Sequence, residues 1–285
     1  MARILLMEGN TKDRRARAAS LGVRSSSEIY TIAIRAHFPD VAIDVMNAAD
    51  EDWSIPEARC YADYDGFVIS GSSLHAYDTD FAVTNQIAVL KDVADAGLPI
   101  LGSCWGLQIA AVAGGGEVAF NPKGREVGFA RKILVNTSGL SHPMLSARPH
   151  VFDAPCIHYD EVIRLPDSAV LLASNDHSLV QAAVIPLGAS EVWAVQYHPE
   201  FDLRQLAQLY TLYADDMIAQ GFFADTDAIT AYCDVLGRLE ADRTNGGLAW
   251  QIGVDEDILD DTRRRSEIIA WMRHAVLKEM PAVRR

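Results

Sequence analysis

A chain of 285 residues, 49% of them hydrophobic, can bury a large core without disulfides or metals, which excludes a small stapled scaffold. Its formal net charge of −14 argues against nucleic acid or an anionic membrane as the main partner, because both reward excess Lys and Arg. Four cysteines without C-x-x-C spacing and a start, MARILLMEGN, lacking the long apolar region and cleavage site of a secretory signal predict a reducing, cytoplasmic setting.

In chain order, RILLM (3–7) reads as a buried strand, 26–37 as an amphipathic helix, VAIDVM (41–46) and FVIS (67–70) as strands. FAVTNQIAVLKDVADAG follows as a helix that Gly97 and Pro99 end. Strands separated by helices imply crossovers and a mainly parallel sheet, the α/β class. Residues 12–28, KDRRARAASLGVRSSSE, read as a basic surface loop closing in a capping box, Ser25 as N-cap and Glu28 reaching back. That loop leaves the first strand at the edge where open α/β sheets bind ligands, so it is also a candidate specificity loop.

The uncharged run 97–116 carries Pro99, Ser103, Gln108 and several glycines, which suits a buried strand, turn and helix rather than a membrane span. Strand-like runs near 118–120, 128–135, 169–174, 179–185 and 192–197 suggest an antiparallel excursion before the chain rejoins the main sheet. From Leu203 helix dominates, ending in a charged helix through RRRSEIIAWMRHAVLKEM. The expected organisation is one domain over 1–222 and a helical C-terminal extension, 223–285, packing on it.

Chemistry concentrates at ILGSCWGLQIAA (100–111), where a strand gives way to an apolar helix at Cys104. Gly102 and Gly106 permit the close backbone approach of a sharp turn, and the helix N-terminus favours a thiolate. Far downstream, VWAVQYHPEF (192–201) delivers His198 and Glu200. A cysteine nucleophile needs an imidazole to take its proton and a carboxylate to orient that imidazole, and these three residues fill the roles. Singly, His198 also suits a buried strand-end histidine and Glu200 a helix N-terminal acid. Oxyanion donors are expected from the N–H of Trp105 and from the ISGSS turn at Gly71 and Ser72. Histidines 158, 177 and 198 lack metal-ligand spacing, so no metal is expected.

Five stretches in order, DYDGFVISGSS (63–73), ILGSCWGLQ (100–108), KGREVG (123–128), IHYDEVIRLP (157–166) and VQYHPEF (195–201), resemble the class I, or triad, glutamine amidotransferases. The likeness covers roughly residues 1–220 and is nearest to GMP synthase-like members and plant-type gamma-glutamyl peptidases. It implies a flavodoxin-like fold, no cofactor, and a thioester mechanism on a small gamma-glutamyl substrate, with Cys104, His198 and Glu200 as triad. It further implies that Gln108 contacts substrate, that His158, Tyr159 and Asp160 hold its amino-acid end, and that Glu126 to Gly128 line the pocket. An intracellular-protease-like branch with an acid at Glu8 is the rival, and YHPEF weighs against it.

Three functions stay open at this level. The leading one is a free-standing hydrolase releasing glutamate plus ammonia or an amine. The others are an ammonia-donating subunit of a separate synthase and an inactive scaffold on the same fold. There is no G-x-x-x-x-G-K-[ST] loop and no second α/β pattern after residue 220. A synthase partner or a second copy of the chain both remain open, and the leaving amine is not named, although Tyr30, Tyr77 and Tyr159 are aromatic candidates for reading it.

Overall fold

Apolar residues fill both faces of β1 (Arg3–Met7): Ile4 and Leu6 enter one core, Leu5 the other with Met7, and none has exposed surface. Such a strand must lie between two layers of structure. In the computed structural model, which describes residues 1–279, β1 pairs in parallel with β2 (Ala42–Met46) and with β3 (Gly66–Ile69), and β3 pairs in parallel with β4 (Ile100–Ser103). Then follow β5 (Glu117–Phe120), β6 (Glu126–Val135), β7 (Val151–His158), β8 (Asp160–Arg164), β9 (Val170–Ser174), β10 (Ala182–Leu187) and β11 (Ser190–Val195). The large sheet has the order β2-β1-β3-β4-β11-β10-β9-β6-β7, parallel as far as β11 and antiparallel beyond, while β5 and β8 form a separate ribbon. The mixed α/β fold expected from the alternating runs is adopted.

Helices α1 (Lys12–Ser20) and α2 (Ser26–Arg35) follow β1, α3 (Phe81–Asp95) follows β3, and α4 (Trp105–Ala113) follows β4. After the short α5 (Thr137–Ser141), the chain beyond β11 is helical: α6 (Leu203–Leu212), α7 (Ala214–Ala219), α8 (Thr226–Ala241), α9 (Gly246–Ile252), α10 (Glu256–Leu259), α11 (Asp261–Arg264) and α12 (Ser266–Trp271).

Residues 12–20, expected as loop, are α1. Lys, Arg and Ala are strong helix formers, and none of the nine side chains is buried, so the apolar periodicity that announces a helix is missing. The capping box is present: Ser25 Oγ accepts the Glu28 N–H at 3.2 Å and Glu28 Oε2 accepts the Ser25 N–H at 2.7 Å. β7 and β8 escaped the pattern. Pro155 interrupts the first, which an outermost strand tolerates, and three of the five residues of β8 are charged.

The charged helix expected over 263–280 is broken into the end of α11, α12 and a π-helical turn at Met272–Val276, and Met280 lies outside the described residues. It wraps the core instead of running along it. Ile268, Trp271, Met272 and Val276 pack with Ile4, Leu6 and Tyr30, and a Cβ on Gly66 would lie 2.8 Å from the Trp271 ring. Glu267 anchors the segment, accepting from buried Arg148 at 2.7 Å and from the Tyr197 hydroxyl at 2.8 Å. The final six residues of the expected extension, 280–285, lie outside the described part.

Candidate active site

Between β4 and α4 the chain turns on Cys104 at φ 51° and ψ −95°. For a residue with a β-carbon this conformation costs on the order of 1–3 kcal/mol, so surrounding structure must impose it. The Cys104 N–H donates to the Val195 carbonyl at 2.7 Å, which ties the turn to β11. Gly102 and Gly106 supply the room: a Cβ on Gly102 would lie 2.9 Å from the Gly106 Cα, and one on Gly106 would lie 3.1 Å from the Ile69 Cβ. Gly102→Ala therefore drives backbone against backbone and is expected to lower unfolding free energy by about 1–3 kcal/mol. Urea denaturation would read it, and an unchanged midpoint would show that the turn yields freely.

Because β4 and β11 are parallel neighbours with Ser103 opposite Val195, both leave the sheet at the same carboxyl edge. Three residues beyond β11 the chain presents His198. Its Nδ1 lies 2.7 Å from Glu200 Oε1, and the same oxygen accepts from Ser103 Oγ at 3.0 Å. The ring stacks on Phe201 with centroids 3.9 Å apart, and its Cε1 lies only 2.7 Å from where a Cβ on Gly71 would be. The imidazole is thus gripped on both sides.

Burial alone would pull the His198 imidazole down, but the Glu200 carboxylate and then the Cys104 sulfur outweigh it and hold the group up at about 10. Nε2 is buried without a hydrogen-bond partner among the described residues, and the Cys104 thiol donates to the Ile157 carbonyl at 3.8 Å. Ser103 had no role assigned from sequence, although it sits inside the ILGSCWG stretch. Ser103→Ala frees one side of Glu200 and is expected to lower kcat about tenfold with little change in KM. Steady-state kinetics would test this, and an undiminished kcat would show that Glu200 needs no such support.

A cavity of about 470 Å³ opens over this corner, lined by Cys104, Gln108, His158, Tyr159, Asp160 and His198, with Gly71 and Ser72 on the facing turn. Trp105 is not part of the cavity wall: its indole is fully buried and donates to Gln86 Oε1 at 2.9 Å, and its N–H lies at the first position of α4, next to the lining Cys104. Neither the Trp105 nor the Gly71 N–H has a protein acceptor among the described residues, as expected for the first amide of a helix and a turn beyond a strand. Gln108, one turn into α4, donates from Nε2 to the Asp160 carbonyl at 3.0 Å.

Glu126 and Gly128 do not reach the cavity wall, contrary to what the resemblance implied. Glu126 faces His158 across β6 and β7, 2.8 Å from its Nε2, and also accepts from Asn175 and Gln181. Burial would raise its carboxyl, but the His158 bond and these donors keep it below the usual range. Its link to the cavity is this contact with the lining His158. Gly128, at φ 84°, packs against the Tyr210 hydroxyl. Tyr30 is buried in the core, while Tyr77 bonds Asp160.

Sequence reasoning missed His75, whose Nδ1 lies 2.6 Å from Asp160 Oδ2. Its place just after ISGSS was the available signal. Glu8, the rival branch's acid, is fully buried and accepts the Ser27 N–H at the start of α2 at 2.8 Å and the Asn10 N–H at 3.1 Å, so it ties β1 to α2.

The model of the glutamine amidotransferase class-I family matches residues 30–211. The chain belongs to that family. A gamma-glutamyl-L-1-hydroxyisopropylamide hydrolase from a Pseudomonas species is 29% identical over 282 residues, covering 96% of this amidotransferase chain and 93% of that protein. Gamma-glutamyl peptidase 4 of Arabidopsis thaliana is 31% identical over 220 residues, covering 72% and 82%. Among solved structures, a glutamine amidotransferase from Thermotoga maritima gives a TM-score of 0.65 at 16% identity, over 91% of this chain and 98% of the other, a likeness of fold. Among the described residues of the amidotransferase, no helix is long and apolar enough to cross a membrane. No group of three or more His, Cys, Asp or Glu among them is placed to hold a metal ion.

Proposed function

We propose that the chain is a free-standing hydrolase of the gamma-glutamyl amide bond that works through a glutamyl thioester on Cys104. The observation that carries the reading is the meeting, at one cavity, of a thiol on a strained strand-to-helix turn with an imidazole 2.7 Å from a buried carboxylate. The names of the Pseudomonas and Arabidopsis relatives support a gamma-glutamyl substrate.

The Cys104 sulfur attacks the gamma-carbonyl carbon, its proton held by His198. The carbonyl electron pair moves to oxygen, where the Trp105 and Gly71 amides, with Ser72 beside them, receive the charge. His198 gives its proton to the departing amine as the carbon–nitrogen bond breaks. In the second half His198 takes a proton from water, the resulting hydroxide attacks the thioester, and glutamate leaves as the thiol regains its proton. Glu200 keeps the imidazole oriented throughout. Asp160, supported by His75 and Tyr77 and flanked by Gln108, His158 and Tyr159, is the acceptor for the substrate ammonium.

The test is turnover of glutamine and a panel of gamma-glutamyl amides by the purified chain alone. Stoichiometric release of glutamate and amine is expected. Silence on every amide until a synthase is added would replace this reading with that of an ammonia-donating subunit.

A further inference from the structure

In a chain of net charge −14, five arginines line the one cavity that holds Cys104. Three are matched. Arg15 pairs with Asp50 at 2.6 Å and Arg24 with Asp202 at 2.6 Å, and Arg125 reaches Asp216 at 3.5 Å. Arg14 and Arg17 have no carboxylate within ion-pair distance among the described residues. They stand three apart on α1, hence on one face of it. Arg14 donates to the carbonyl and hydroxyl of Ser73, neutral acceptors that orient the guanidinium beside the Gly71–Ser72 turn without cancelling its charge.

The acids on the cavity wall do not supply the missing partner. Glu8 accepts from backbone amides, Asp216 pairs with Arg125, and Asp160 faces His75 and Tyr77, and none of them forms an ion pair with Arg14 or Arg17. The Tyr159 face, an aromatic candidate for stacking on an aryl amine, is covered by Arg125, whose guanidinium carbon lies 4.0 Å from the ring centroid. A planar guanidinium fork matches a carboxylate.

We propose that the amine released from the gamma-glutamyl group itself carries a carboxylate, as in a gamma-glutamyl amino acid or peptide, and that Arg14 and Arg17 hold it at the cavity mouth. The proposal rests on the hydrolase reading above. It makes α1 the element that selects the leaving group, while the glutamyl head is held at Asp160.

Binding to the Cys104→Ala protein separates the two ideas, because it does not depend on turnover. The ligands are gamma-glutamylglycine and its neutral match, gamma-glutamylglycinamide, measured by calorimetry with Arg14 and Arg17 intact and in the Arg14→Gln/Arg17→Gln and Arg14→Lys/Arg17→Lys pairs. The acid is expected to bind about tenfold tighter than the amide, with the preference falling to within about twofold in the Gln pair and partly kept in the Lys pair. Equal affinities with both arginines present overturn the proposal. So does a preference that survives in the Gln pair, or an equal loss for both ligands, which would assign the arginines to the glutamyl head. If the preference appears but the wild-type chain turns over no amide of the panel, the hydrolase reading fails and with it the claim about a released amine, while the carboxylate site at Arg14 and Arg17 stands.

Discussion

Cys104→Ala is expected to lower gamma-glutamyl amide turnover by at least about 10⁴-fold, since without the sulfur no covalent intermediate forms and the remaining groups only bind and polarise the carbonyl. The same position gives a stability readout of opposite sign. At φ 51° the backbone favours glycine, so Cys104→Gly should be as inactive as Cys104→Ala but more stable than it by about 1 kcal/mol. Denaturation of the two inactive variants side by side measures this. An alanine variant as stable as the glycine variant would mean that the turn stores no strain, and substantial activity in either would remove the sulfur from the chemistry.

Glu200→Gln is expected to lower kcat by about 10²–10³-fold, because an amide in place of the carboxylate neither fixes the imidazole tautomer nor stabilises its charge. The pH dependence should change with it. His198 is raised from 6.5 to about 10, so the protonated imidazole that releases the amine persists until pH rises through about 10. Losing the carboxylate should move that alkaline limb down towards neutrality. Stability follows the same group. Its folded value exceeds its unfolded one, so its contribution is fully present below about 6.5 and is lost as pH rises through about 10. The wild type should therefore lose more stability than Glu200→Gln between those limits. Parallel pH–rate profiles and thermal melts would show both effects, and coincident profiles would mean that Glu200 does not govern the imidazole.

The elements legible in the sequence were those whose burial is written in consecutive residues. ILLM (4–7) and ILG (100–102) are apolar without interruption because both faces of the strand are covered, and each strand was readable to within a residue of its true place. Cys104, His198 and Glu200 were legible for a related reason: each sits within a few residues of a strand end, so short motifs carry them. What stayed hidden depends on packing between distant segments. Helix α1 has no buried face to announce it. Ser103 matters because Glu200, 97 residues away, folds back over it, and Arg14 because Ser73 meets it from across β1 and β3. Glu126 stands in a motif beside the site, yet its register places it opposite His158, where its carboxylate is spent on that imidazole and does not line the cavity.

The measurement closest to the central claim is rapid acid quenching of the chain during turnover of a gamma-glutamyl amide, followed by mass analysis of the peptide that contains Cys104. The account requires one glutamyl group on that cysteine, accumulating before steady state and absent from Cys104→Ala. Turnover at full rate with the cysteine unmodified, and undiminished in the alanine variant, would contradict it.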